Sequence, residues 1–239
     1  MNVLALDAAL GGFSAAVARD GQIAASRWES GHVALERGLA LVDDVLADAQ
    51  LAPEQIERLA VGIGPGSFTG LRIAIAYAKS LAAAWRRPLV PIDSFDLLEY
   101  GSDLPEVLSV VVGRRDVISA RYRSPSTTRR ASGRVGEVLD KVLPVSPFDR
   151  AQGDTDRAQD DTDRAQGDTD RTPLAVVGAP KDVLDALAER AIRVRAFEPA
   201  VTPAAAAVAL AAGFRTPPKS VHEIRADYGE LPAAKPPRF

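Results

Sequence analysis

Three glycines, a serine, a threonine and an arginine fall within nine residues, Gly64 to Arg72, in the string GPGSFTGLR. An apolar run, 59–63, precedes them, and a helix-like run continues to Trp85. A Gly-rich turn that leaves a strand and opens a helix presents backbone N–H groups to an anion. Gly64, Gly66, Ser67, Phe68, Thr69 and Gly70 are therefore the candidate anion-facing residues. Arg72, one turn into the helix, is placed to hold a phosphate or carboxylate, or to form an ordinary surface ion pair. The stretch has no lysine and so is not a P-loop, and its glycine spacing is not G-x-G-x-x-G. The competing reading is mechanical: glycines let a helix pack closely on a sheet.

Other chemistry is sparse. Cysteine is absent, which excludes disulfides, thiolate nucleophiles and Cys-ligated metals. The two histidines, His32 and His222, are far apart, so no single helix carries a paired-His metal site. Ser67 does not sit in a G-x-S-x-G elbow. No catalytic residue and no metal ligand is assigned. Within the 239 residues, 46% are hydrophobic, enough for a substantial core. No run reaches the roughly 18 apolar residues of a membrane span. The start, Met1-Asn2-Val3-Leu4-Ala5-Leu6-Asp7, is not a signal peptide. A cytoplasmic location is expected. The net charge of −3 argues against broad nucleic-acid binding by this chain alone.

The elements that must position the loop are legible as periodicities. Strands are expected over 2–6, 13–18 and 22–28, the last two joined by an Asp20-Gly21 hairpin. A helix over 32–49, a strand over 58–63, a helix over 69–85 and a strand over 87–92 follow, with Ser94 capping a short helix to Tyr100. Beyond residue 101 the pattern predicts strands over 107–112, 117–122, 174–178 and 192–197. It also predicts a strand or short helix over 135–145 and a helix over 182–190. A final Ala-rich helix has Thr202 as its cap, Pro203 at its first position and Gly213 at its end. The expected organisation is a first subdomain over 1–100, a smaller second one over 101–216 and a Pro-rich extended tail over 217–239.

Both N-terminal helices carry two apolar lines. In the first, Leu35, Leu39, Val42 and Leu46 are expected to cover the sheet, with Ala34, Gly38, Leu41, Val45 and Ala49 beside them. In the second, Leu71, Ile75, Ala78 and Ala82 face the sheet, while Ile73, Tyr77, Ser80 and Ala84 lie nearly opposite. The second lines need a cover, either a neighbouring helix of the same chain or another protein. The latter makes His32, Ala34, Gly38, Leu41, Val45, Ile73, Tyr77, Ser80 and Ala84 a candidate partner interface.

One segment stands apart. The heptapeptide AQGDTDR at 151–157 recurs at 158–164 with one Gly-to-Asp change, and again at 165–171. Alanine is its only apolar residue, so it has no coiled-coil seam. Seven Asp against three Arg give it an excess of negative charge. It lacks the EF-hand pattern and cannot bury enough surface to offset its ordering entropy. A disordered insertion over 149–172 is expected.

The string GPGSFTGLRI closely resembles the signature of the TsaB (YeaZ) family. Leu4-Ala5-Leu6-Asp7 and Ser14 match the family's opening in part, with Ala8 and Ala9 where hydroxyl residues are usual. His32 resembles the histidine before the first helix, and Ala78-Lys79-Ser80-Leu81 resembles Ala-Lys-Gly-Leu. Val177-Gly178 and the 202–214 helix fit as well. Gly113-Arg114-Arg115 and Tyr228-Gly229-Glu230 depart from the usual Asp-Ala-Arg and Tyr-Leu-Arg. The resemblance and the order β-β-β-α-β-α-β imply the actin-like ATPase / sugar-kinase fold, an α/β architecture of two tandem subdomains with a degenerate nucleotide site. They imply a non-catalytic partner of TsaD, the paralogue that modifies adenosine 37 of ANN-decoding tRNAs with a threonylcarbamoyl group. TsaE, an ATPase, joins that complex; tRNA is met indirectly; ATP and a metal belong to partner subunits or their interface. A homodimer in the absence of TsaD is left open. The other readings are an ATP-dependent kinase or carbamoyltransferase of the same fold and a glycopeptidase-like peptidase. Ala8 and Ala9 count against the first, and the missing metal or nucleophile against the second.

Deleting residues 151–171 should leave folding intact, since loop-closure cost changes slowly with length. The expected result is a melting temperature within about 5 °C of the parent. A larger drop means that the repeat packs on the fold.

Overall fold

The computed structural model describes residues 1–31, 36–113, 117–144, 173–213 and 220–229. The 149–172 insertion expected from the repeat, together with His32 and Ala34, lies outside the described residues. Strand β1 (Asn2–Asp7) is apolar on both faces, as befits a strand at the centre of a covered sheet. It pairs antiparallel with β2 (Gly12–Arg19) and parallel with β4 (Arg58–Gly64). With edge strands β3 (Gln22–Ser30) and β5 (Leu89–Asp93), the first sheet has the order β3-β2-β1-β4-β5. Asp20 and Gly21 both take positive φ, 51° and 81°, as the two-residue hairpin between β2 and β3 requires.

The second sheet repeats this plan. Strand β6 (Val107–Val112) lies centrally, between antiparallel β7 (Ile118–Arg123) and parallel β9 (Leu174–Val177). The outer strands are β8 (Thr128–Gly133) and β10 (Val194–Phe197), giving β8-β7-β6-β9-β10. The two halves are thus copies of one β-β-β-α-β-α-β unit. This duplication is the actin-like ATPase / sugar-kinase architecture.

Helices α1 (Gly38–Asp48) and α2 (Phe68–Trp85) cover one face of the first sheet. Leu71, Ile75, Ala78 and Ala82 of α2 are buried, as their spacing predicts. The faces of α1 differ from expectation. Gly38, Leu41, Val45 and Ala49 are all buried, together with Val42 and Leu46. Leu39, expected to face the sheet, is 44% exposed. The helix uses one broad apolar sector that covers the sheet and touches α2, and Leu39 sits about 100° round from Gly38. Gly38 lies against the Phe13 and Tyr77 rings, which leave no room for a Cβ. Gly38, Leu41 and Val45 therefore belong to the internal core of this chain and are removed from the candidate interface face.

The other face of the first sheet is covered by α6 (Pro203–Gly213). Its alanines, Ala204 to Ala207, bring its axis close to Val3, Ala5, Ala16 and Ala60. Thr202 caps it, accepting from the Ala205 amide at 3.2 Å, and the Ala204 amide donates to Ser14 Oγ at 3.2 Å. The helix follows the second sheet in sequence but packs on the first, unlike the expected division at 101–216. Residues 220–229, expected in an extended tail, pack as well: Ile224 is buried against the α2 side of the first sheet.

Helix α3 (Ser94–Glu99) joins the sheets. Asp93, rather than Ser94, caps it, accepting from the Phe95 amide at 2.8 Å. Leu97 faces the first core, while Phe95 and Leu98 enter a cluster with Val107, Val111, Ala175 and Val177. Glu99 is largely buried and accepts from Ser109 Oγ at 2.5 Å, Arg121 Nε at 3.0 Å and Arg123 Nε at 2.7 Å. The far face of the second sheet is covered by α4 (Val135–Val142) and α5 (Lys181–Glu189).

The two leucines of α1 should separate cleanly on substitution. Leu41→Glu places an unpaired carboxylate in the core and should cost more than about 4 kcal/mol. Leu39→Glu should stay within about 0.5 kcal/mol of the parent. Urea unfolding of both variants checks this, and equal effects would contradict the assigned face.

Candidate functional site

The Gly-rich loop runs from the end of β4 into the first turn of α2. Ser67 caps the helix: its Oγ accepts from the Gly70 amide at 3.2 Å. The Ser67 amide donates to the Ala9 carbonyl at 2.9 Å. Two loop N–H groups are therefore already engaged within the chain. The glycines have a mechanical use. A Cβ at Gly66 would collide with Ala9, one at Gly70 with the Ala8 carbonyl, and one at Gly64 with the Asp227 carbonyl. The loop lies directly on the β1–β2 turn, backbone against backbone, and of the two readings open from sequence the packing one describes the geometry.

The loop packs against the β1–β2 turn at Ala8 and Ala9. Ala8 and Ala9 are buried and offer no hydroxyl. An ATP phosphate does not fit these residues. Among the described residues, no three His, Cys, Asp or Glu side chains cluster in a way that could hold a metal ion.

Arg72 is held by aromatic residues. Its guanidinium carbon lies 3.8 Å from the centre of the Phe68 ring, and its Nε donates to Tyr228 Oη at 3.4 Å. The Phe68 and Tyr228 rings are 4.9 Å apart. Phe68 is 47% exposed. Of the remaining interface candidates, Ile73 and Tyr77 are half-buried, and Ser80 and Ala84 are exposed. Ala76 and Ala83 are exposed on α2, with Leu39, Ala40 and Ala47 on α1. The outer surface of α2 past its first turn thus carries mostly small side chains, while that of α1 also bears Leu39, Asp43 and Asp48.

Sequence reasoning gave no role to Asp7. It ends β1, is 1% exposed, and accepts from the Ala9 amide at 3.2 Å through Oδ1. Its Oδ2 has no hydrogen-bond partner among the described residues and lies where a Gly62 side chain would be. Burial pushes its carboxyl up to about 7, against the opposing effect of the Ala9 and Leu10 amides. The signal in the sequence was an acid ending an apolar strand, with a glycine at the facing position of β4.

These features define a class: a duplicated actin-like fold in which a Gly-rich loop packs on the β1–β2 turn. Comparison with known proteins carries this to a family. Residues 32–155, just over half of the chain, match the family described as "TsaD: tRNA N6-adenosine threonylcarbamoyltransferase". The chain belongs to this family. It is 33% identical over 173 residues to the tRNA N6-adenosine threonylcarbamoyltransferase of Moorella thermoacetica, covering 60% of this chain and 50% of that protein. It is 33% identical over 102 residues to the tRNA threonylcarbamoyladenosine biosynthesis protein TsaB of Escherichia coli, covering 43% and 44%. The chain spans half or less of the length of these curated relatives. The solved structure of YeaZ from Pseudomonas aeruginosa superposes with a TM-score of 0.61 at 22% identity, covering 95% of this chain and 99% of that one. That likeness shows the fold. No helix among the described residues is long and apolar enough to cross a membrane.

Asp7 has a raised folded pKa, so its neutral form stabilises the fold below the unfolded value near 4, and that stability is lost as pH rises toward 7. Asp7→Asn should therefore melt progressively higher than the parent as pH goes from 4 to 7, with the gap constant above about 8. The full effect is of order 4 kcal/mol. A gap that does not change with pH would show that Asp7 is ionised in the fold throughout.

Proposed function

We propose that this chain is a supporting subunit in the formation of N6-threonylcarbamoyladenosine in tRNA, acting through association with a TsaD-type enzyme and contributing no chemical step. The observation that carries the reading is the packing of the Gly-rich loop: its glycines are seated on Ala8 and Ala9, with the Ser67 and Gly70 N–H groups engaged internally. The names of the curated relatives supply the pathway. In this reading ATP and any metal are held by partner subunits or at their interface. A TsaE-type ATPase joins the complex, tRNA is met through the partner, and the work takes place in the cytoplasm.

The docking face is the outer surface of α1 and α2. Ala76, Ser80, Ala83 and Ala84 are exposed there, with Ile73 and Tyr77 half-buried at their side. Small side chains let a partner helix approach closely and lose little rotamer freedom on binding. Leu39 supplies an exposed apolar anchor nearby.

The test uses surface positions, so that the fold survives. Ser80→Glu with Ala84→Glu should abolish co-elution with the TsaD paralogue of the same cell in gel filtration, while the melting temperature stays within a few degrees. In a mixture with TsaD, TsaE, ATP, threonylcarbamoyl-adenylate and tRNA, omitting this chain should cut modified adenosine at least tenfold, and the double variant should behave like the omission. Ser67→Ala should reduce product far less. Transfer of the group by the purified chain alone, or full association of the double variant, would overturn the proposal.

A further inference from the structure

Residues 220–229 run across the front of the Gly-rich loop and reach the second sheet. The segment is anchored first by Ile224, which is buried in the α2-side core, with Val221 and Ala226 packed beside it. It then crosses β4: the Asp227 amide donates to the Ile63 carbonyl at 2.6 Å, and the Asp227 carbonyl fills the space beside Gly64. The Tyr228 ring lies on Phe68, and its hydroxyl accepts from Arg72. Gly229 ends the segment against the second sheet. Its φ is +74°, and a Cβ there would meet Ser119 Oγ of β7, Ser132 Oγ of β8 and the Pro65 ring of the loop. Gly229 is thus wedged between the Gly-rich loop and the antiparallel edge of the other half.

Charge ties the same place together. Arg130, on β8, donates to Asp93 Oδ2 at the end of β5 at 2.8 Å and pairs with the Asp227 carboxylate of the crossing segment. Its guanidinium also lies 4.8 Å from the centre of the Phe95 ring of α3. One side chain of the second sheet therefore holds the first sheet, the crossing segment and the joining helix.

We propose that residues 220–229 are an intramolecular strap that sets two things together: the seating of the second sheet against the first at β7 and β8, and the covering of the start of the Gly-rich loop. The strap covers the start of the loop at Gly64 and Pro65, while Ser67, Phe68 and Thr69 stay exposed. Release of the strap uncovers the start of the loop and frees the β7–β8 edge in one event, because Asp227 and Gly229 contact both. This is a conformational device internal to the chain, and it stands whether or not the chain docks on a partner.

Amide hydrogen exchange of the full chain, read by mass spectrometry, tests it. Asp227→Ala with Tyr228→Ala should speed exchange at least tenfold in peptides covering 63–70 and in those covering 118–133, and leave the central strands β1 and β6 at parent rates. Faster exchange confined to 220–229 itself would overturn the proposal, since the strap would then cover nothing. A second variant keeps the test sharp if the first fails to fold. Arg130→Ala, at the surface, removes the ion pair to Asp227 from the second-sheet side. It should speed exchange in 63–70 as well as in 220–229. Unchanged exchange in 63–70 would overturn the proposal.

Discussion

The Gly-rich loop and the β1–β2 turn meet backbone against backbone. The carbonyls of Ala8 and Ala9 lie where side chains of residues 70 and 66 would stand. Such a contact tolerates only glycine at those two positions, and it fixes the direction in which α2 leaves the sheet. Ser67 then caps that helix, and its amide ties back to Ala9. From this seat follow the placement of Leu71, Ile75, Ala78 and Ala82 over the sheet and the presentation of Ser80 and Ala84 outward. The glycines of the loop are thus explained by packing, with the Ser67 and Gly70 amides engaged within the chain.

The two halves share a strand order yet are not equivalent. The Ala-rich α6 leaves the second sheet and covers the first, so the first sheet is clad on both faces by helices drawn from both ends of the described chain. The second sheet has α4 and α5 on one face and α3 with its apolar cluster on the other. Helix α3 is short, and its hold depends on Phe95 and Leu98 inside and Glu99 at the boundary. A largely buried carboxylate is costly unless its oxygens are satisfied. Glu99 meets that condition through Ser109, Arg121 and Arg123. The gain from such a set is better described as orientation than as net stability: removing one partner leaves the others buried without it.

Much of this was legible in the sequence where the signal is local. The Asp20-Gly21 hairpin, the apolar strands, the span of α2 and the Thr202-Pro203 start of α6 each depend on neighbours a few residues away. What escaped depends on distant partners. Strand β8 reads Thr-Arg-Arg-Ala-Ser-Gly, without apolar alternation, because it is an edge strand whose outer residues meet solvent. The inward face of α1 was assigned one step round, since the pattern alone does not say that the sector must also meet Phe13 and Tyr77. The placement of α6 and of residues 220–229 on the first sheet has no local signature at all. At the site, the sequence singled out the loop, but not its use. Deciding between an anion cradle and a packing seat requires knowing that Ala8, Ala9 and Asp227 stand against the glycines.

Asp7 carries the argument one step further. A carboxylate at the end of β1, beside a phosphate turn, is suited to a fold that opens to solvent and ligand. Here it is closed in by Gly62 and the β1–β2 turn, with one oxygen unsatisfied. Burial then favours the neutral acid, and the residue destabilises the fold increasingly as pH rises toward 7. A side chain that costs stability and touches no solvent has little scope for proton transfer at the surface. The surface of the α1–α2 pair has the opposite character: exposed residues, mostly small along α2, on helices whose inner faces are firmly packed. Rigid backing and low side-chain entropy are the conditions under which a helix face binds another helix well. The interior of this domain is therefore committed to holding its shape, and the docking face proposed above lies on the outside of α1 and α2.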